Sequence, residues 1–155
     1  MSPRRSRPPQ GRYLEHRTRV RVRFQEVDTL EIVWHGHYLT YLEDARVALG
    51  RAYGINYTDI RSAGLAAPVV HVSCDFFAPA RFDEEIEIAA RLYERESAKL
   101  EFYYEVRRPS DSTLLATGRS IQAFSEFDGT LLLTLPDFMR GFYQRWHHAM
   151  QECDE

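Results

Sequence analysis

"EVDTLEIVWHGHYLTYLEDAR", residues 26–46, holds the change of pattern on which the fold turns. Just before it, "TRVRVRF" (18–24) alternates, with Val20, Val22 and Phe24 on one side and Arg19, Arg21 and Arg23 on the other. A period of two predicts a half-buried strand. From residue 37 the period lengthens. Tyr38, Tyr41, Leu42, Ala45 and Leu49 keep the spacing of a single helix face. That helix is expected to stop at Gly54, a residue suited to a helix C-terminus. The three arginines read as a solvated face, with a phosphate-binding stripe as the other reading.

Working outward, four strand-like runs follow: 67–78, 84–94, 99–108 and 113–127. Alternation is clear in Ile86, Ile88, Ala90 and Leu92, and again in Leu100, Phe102, Tyr104 and Val106. "RPSDST" (108–113) has the residues of a hairpin turn, and "FDGT" (127–130) carries an Asp-Gly pair. "PDFMRGFYQRWHHAMQE" (136–152) opens on a proline suited to a first helical turn. One strand, a long helix, four strands and a helix predict an α+β fold. The arrangement expected is one antiparallel five-stranded sheet wrapped around a single long helix, with a C-terminal helix. Residues 16–150 are expected to form one domain, preceded by a disordered basic tail over 1–15.

Composition narrows the function. The 155 residues carry a net charge of −3, which excludes a surface built throughout to grip nucleic acid. No apolar run approaches the length of a membrane span, and "MSPRRSRPPQGR" lacks the apolar stretch of a secretory signal. Cys74 and Cys153 form neither a disulfide framework nor a CxxC metal motif, and a reducing cytoplasm is the expected compartment. His35 and His37 lack an evident third ligand, so no metal site and no cofactor are expected.

Asp28 lies in a short loop between strand and helix. A helix N-terminus offers unpaired N–H groups and a partial positive charge. Those donors can hold a carbonyl oxygen that becomes negative in a transition state. A carboxylate close by can attack the carbonyl or activate a water. The segment therefore contains both halves of an acyl-transfer site, although an aspartate before a helix also serves as a cap. Cys74 reads as a small buried apolar group. Glu43 reads as structural, Arg46 and Arg81 as surface or interface charges, and His147 and His148 as solvated.

The order Asp28, Ile32 with Val33, Trp34, His35, Tyr38 and Glu43 resembles the signature of the 4-hydroxybenzoyl-CoA thioesterases and YbgC-like acyl-CoA thioesterases. "FFAPARFDEEIEI" (76–88) and "LLATGRSIQAF" (114–124) resemble two later elements of that family. The resemblance implies a hotdog fold that dimerises or forms tetramers, with the active site at the subunit interface. It implies Asp28 as nucleophile or general base, and His35 in a supporting catalytic role. A backbone N–H near His35 would polarise the thioester carbonyl. Trp34, Gly36 and Tyr38 would contact substrate, and Arg95 and Lys99 would meet a carrier's phosphates.

Three departures stand out. Glu31 replaces a usual glycine and adds a carboxylate near Asp28. His37 replaces a common asparagine, and the basic cluster is reduced to "ERESAK" (94–99). The carrier stays open between coenzyme A and an acyl carrier protein. Hydrolysis of an acyl thioester to acid and thiol is the expected reaction. A non-catalytic acyl- or partner-binding module and a hydroxyacyl-thioester dehydratase are the alternatives, since fold does not dictate function.

Overall fold

The structure is a computed structural model that describes residues 7–153. The basic segment 1–6 lies outside the described residues. Strands β1 (Tyr13–Arg21), β2 (Val69–Phe76), β3 (Glu85–Tyr93), β4 (Lys99–Arg108) and β5 (Thr113–Ala123) form one sheet in the order β1-β3-β4-β5-β2. Every neighbouring pair is antiparallel. Helix α1 (His37–Tyr53) lies against the sheet, α2 (Tyr57–Ser62) follows it, and α3 (Asp137–Cys153) closes the chain. This is the α+β hotdog architecture, a five-stranded sheet wrapped around one central helix.

The helix face expected from spacing is the face that packs. Tyr38, Tyr41, Leu42, Ala45 and Leu49 are all buried. They meet Ile86, Ile88 and Leu92 of β3 and Phe102, Tyr104 and Val106 of β4 in one core, to which α3 adds Met139, Phe142 and Trp146. Burial of side chains this size stabilises by about 1.5–3 kcal/mol each. Gly54 adopts the left-handed conformation, φ 76°, and its N–H closes on the Gly50 carbonyl, which ends α1. Gly118 of β5 lets α1 approach closely: a Cβ there would come within 2.6 Å of Leu42 Cδ1. The late glycine of the sequence pattern is thus a packing residue.

The first strand differs from expectation. It begins at Tyr13, inside the segment assigned to a tail, and pairs along the whole of β3 from Tyr13↔Tyr93 to Arg21↔Glu85. Its partner sets its length, and its polar side chains hide the pattern. Arg17 pairs with Glu15 and Glu87, and Arg19 with Glu85 and Glu87. Phe24 does not share a face with Val20 and Val22. It sits in a 3-10 turn, Phe24–Glu26, largely exposed, with its ring edge-on to Phe82 at 5.8 Å. Helix α2, six residues long, is too short to show a period. Its signal is local: the Asn56 side chain accepts from the Asp59 N–H, and the Asp59 carboxylate accepts from the Asn56 N–H. His147 is not simply solvated either, since its Nε2 lies 3.0 Å from Glu94 Oε2.

The two edges of the sheet contrast. β1 is studded with paired arginines and glutamates, which discourage pairing with another strand. β2 instead exposes Val69 (46%), Val70 (57%) and Val72 (42%) beside backbone groups that no described strand pairs.

Candidate active site

Between β1 and α1 the chain makes a narrow ribbon. Val27 and Val33 pair across it, and the Trp34 N–H donates to the Glu26 carbonyl at 2.9 Å. The tip is a tight turn in which the Glu31 N–H donates to the Asp28 carbonyl and the Asp28 N–H to the Ile32 carbonyl, both 2.9 Å. Asp28 Oδ1 accepts the Leu30 N–H at 2.8 Å, a local turn bond of the kind aspartate favours. That bond fixes the carboxylate's rotation and leaves Oδ2 without a partner among the described residues. Glu31, in the place of the usual glycine, has φ 63°. A residue with a Cβ is strained there.

The far leg of the ribbon runs directly into α1. Val33 N–H donates to the Ala80 carbonyl, anchoring this leg to the segment after β2. At the helix start the His37 N–H turns back to the Trp34 carbonyl (3.0 Å) and the Tyr38 N–H to the His35 carbonyl (3.3 Å). No hydrogen bond to a described residue uses the N–H groups of His35 or Gly36. Those two donors stand at the positive end of the helix.

Asp28, His35 and Tyr38 all line one open cleft of about 440 Å³. Its other walls are apolar: Leu30, Ile32, Val33, Phe76, Phe77, Ala78 and Pro79. Tyr38 and Phe76 meet edge-to-face at 5.0 Å, and His35 approaches Phe76 at 6.5 Å. Burial pushes the Tyr38 phenol up to about 12, with nearby Cys74 adding to it. The phenol therefore stays protonated at neutral pH. Burial, then Asp75, pushes the Cys74 thiol up to about 11, which makes it a poor nucleophile.

Trp34 falls neither in the core nor among the residues lining the cleft. Its ring is about half exposed and lies between His35 (5.0 Å) and His37 (5.5 Å). It also explains Gly36, because a Cβ there would run into the indole. Arg95 and Lys99 are not brought to this chain's cleft. They sit past the far end of β3 from the acid loop, and nine strand residues span roughly 26–30 Å. Arg95 is committed to Glu101 (2.8 Å) and to the Gln10 carbonyl (3.1 Å). Proximity to "ERES" alone could not reveal that. Glu26, missed by the sequence reading, is a buried carboxylate at the root of the ribbon. Its only signal was its place two residues before Asp28. Among the described residues no group of three or more His, Cys, Asp or Glu could hold a metal ion, and no helix is long and apolar enough to cross a membrane.

Comparison with known proteins shows the family and the fold. The model of the thioesterase-like superfamily matches residues 22–142. The acyl-CoA thioester hydrolase YbgC of Escherichia coli O6:H1 is 26% identical over 96 residues, covering 62% of this chain and 71% of YbgC. The crystal structure of a hypothetical protein, TT1821, from Thermus thermophilus is 35% identical, with a TM-score of 0.73 over 84% of this chain and 96% of that one. Slr0204 of Synechocystis, a 1,4-dihydroxy-2-naphthoyl-CoA thioesterase, shares the fold at 20% identity and a TM-score of 0.74, covering 83% and 94%. The chain belongs to the thioesterase-like superfamily, and the reaction class that goes with it is thioester hydrolysis.

The strain at Glu31 is testable. Glu31→Gly should stabilise the protein by about 0.5–1 kcal/mol, because relief of the left-handed backbone outweighs the added freedom of the unfolded chain. A urea midpoint that stays or falls would show that the turn holds glutamate without strain.

Proposed function

We propose that this member of the superfamily hydrolyses an acyl thioester, with Asp28 as the catalytic carboxylate and the N-terminus of α1 as the oxyanion site. The observation that carries the reading is the shared cleft: Asp28 and His35 line one largely apolar groove, and the N–H groups of His35 and Gly36 at the start of α1 are unused. An acyl chain would lie along Ile32, Phe76 and Phe77, with its carbonyl at the helix end. Asp28 Oδ2 takes a proton from water as the water oxygen bonds to the acyl carbon. The carbonyl oxygen becomes negative and is held by the two N–H groups. Collapse of that intermediate breaks the C–S bond, and the thiolate leaves and is protonated. Direct attack by Asp28 is the other route; it forms a mixed anhydride that water then opens. Either route consumes one water and yields one acid and one thiol. His35 is assigned the supporting role of orienting water or substrate.

The names of YbgC and Slr0204 support coenzyme A as the carrier, with an acyl carrier protein as the other candidate. The assembly we infer is a homodimer joined through β2. Its exposed valines and unpaired edge suit an antiparallel copy of itself, whereas the charged β1 edge does not. Pairing there would bring a second chain beside Phe76, which belongs both to β2 and to the cleft. Tetramers would be built from such dimers.

Thiol release from a panel of short, long and aryl acyl-CoAs tests the chemistry. Asp28→Asn should lower turnover at least about a hundredfold while leaving the oligomer intact. Turnover equal to wild type would remove Asp28 from the mechanism. Val70→Lys should convert the dimer to monomer in sedimentation, because it places a charge on the pairing edge. A dimer that survives this substitution would place the interface elsewhere.

A further inference from the structure

Glu26 is 8% exposed, yet the hydrolysis described above makes no use of it. A buried carboxylate is costly unless its hydrogen bonds do something for the fold. Its bonds are specific. Oε1 accepts the Arg23 N–H at 2.7 Å, which closes the 3-10 turn at the entry to the ribbon. Its own N–H donates to the Arg23 carbonyl at 3.0 Å. Its carbonyl accepts the Trp34 N–H, where the ribbon returns to meet α1. Glu26 is therefore the residue at which both legs of the 27–33 ribbon are joined. Asp28 lies two residues along one leg, and the N–H groups of His35 and Gly36 lie one and two residues beyond the other.

The helix brings a second buried polar group next to Glu26. Tyr41, one turn after Tyr38, is 2% exposed, and its hydroxyl has no partner within hydrogen-bond geometry. Burial raises its phenol pKa, and the adjacent Glu26 carboxylate raises it further, so the hydroxyl keeps its proton beside that carboxylate. Tyr41 also stacks edge-on with Tyr38, a wall of the cleft, at 5.8 Å. Glu26 and Tyr41 both line a second cleft, which Asp28 does not line.

We propose that Glu26 is a positioning residue for the hydrolysis. By accepting the Arg23 N–H its side chain fixes the turn from which its main-chain carbonyl meets the Trp34 N–H, and so sets the separation between the Asp28 carboxylate and the N-terminus of α1, the two groups that must reach one carbonyl together. This rests on the role of Asp28 argued above. Misplacement of a reacting group by an ångström costs on the order of a hundredfold in rate, and substrate binding along the apolar groove does not depend on it. The effect thus falls on kcat and spares KM.

The reach of the acceptor, not the charge, is the active feature, and that separates Glu26 from a merely electrostatic or structural carboxylate. Glu26→Gln keeps an oxygen at the same distance and should retain kcat within about threefold. Glu26→Asp keeps the charge but shortens the reach, and it should lose about tenfold or more in kcat, as should Glu26→Ala, with KM within about twofold. Near-normal turnover in Glu26→Asp alongside a poor Glu26→Gln would overturn the proposal, as would wild-type kcat in Glu26→Ala. Should the alanine variant not fold, the Asp and Gln pair decides alone. Asp28→Asn is measured in the same assay. If it stays active, the assignment of Asp28 falls and Glu26 with it. If it is inactive while the Glu26 variants turn over normally, only the role of Glu26 falls.

Discussion

The hydrogen bond from the Trp34 N–H to the Glu26 carbonyl is the constraint around which the site is arranged. It closes a seven-residue ribbon on itself, so the chain that leaves β1 re-enters at the first turn of α1. With the Val27–Val33 bridge and the Val33 N–H bond to Ala80, that closure keeps Asp28 and the helix N-terminus from being ends of a free loop. With it they face the same groove. The core then fixes the helix: Leu42 reaches Gly118, and Tyr38 and Leu49 sit among the strands. A turn bond to the Leu30 N–H fixes the carboxylate. Rigid elements therefore hold both groups to which the proposed mechanism assigns the chemistry, as electrostatic catalysis requires of its donors.

Much of this was legible because it follows from periodicity. The buried stripe of α1 and the alternation in β3 and β4 each repeat a geometry that the backbone imposes. That Asp28, His35 and Tyr38 come to one cleft was legible because a short loop leaves little freedom between an acid and a helix start. Where the structure differs from what the sequence suggested, the cause is a contact that spacing and composition do not display. β1 extends back to Tyr13 because β3 is there to pair with it, and its outward residues alternate with charge instead of apolarity. Phe24 continued the alternation on paper but falls after the strand has ended, where Phe82 receives it. Arg95 looked free beside a turn, yet Glu101, six residues on, and Gln10, across the chain, take its donors. Trp34 looked like a pocket wall because it adjoins the site, but the ring turns outward over Gly36.

The two sheet edges and the cleft bear on one another. An edge strand of valines is a liability for a lone chain and an asset for a pair. Phe76 belongs to both that edge and the groove, so the apolar end of the cleft is where a second chain would arrive. The groove, about 440 Å³, is lined mainly by apolar side chains, with Asp28, His35 and Tyr38 as its polar ones. Such a lining selects on shape and apolarity, and methylene-by-methylene discrimination of that kind is shallow, about 10–200-fold per step.

The most direct measurement is a crystal structure with an acyl-CoA analogue whose thioester sulfur is replaced by a methylene, which cannot be cleaved. The account predicts the ketone oxygen within about 3.2 Å of the His35 or Gly36 N–H, and the carbonyl carbon within reach of Asp28 Oδ2 directly or through one water. A ketone bound with its oxygen away from the helix N-terminus, or with Asp28 out of reach of the carbon and of any bridging water, would contradict it.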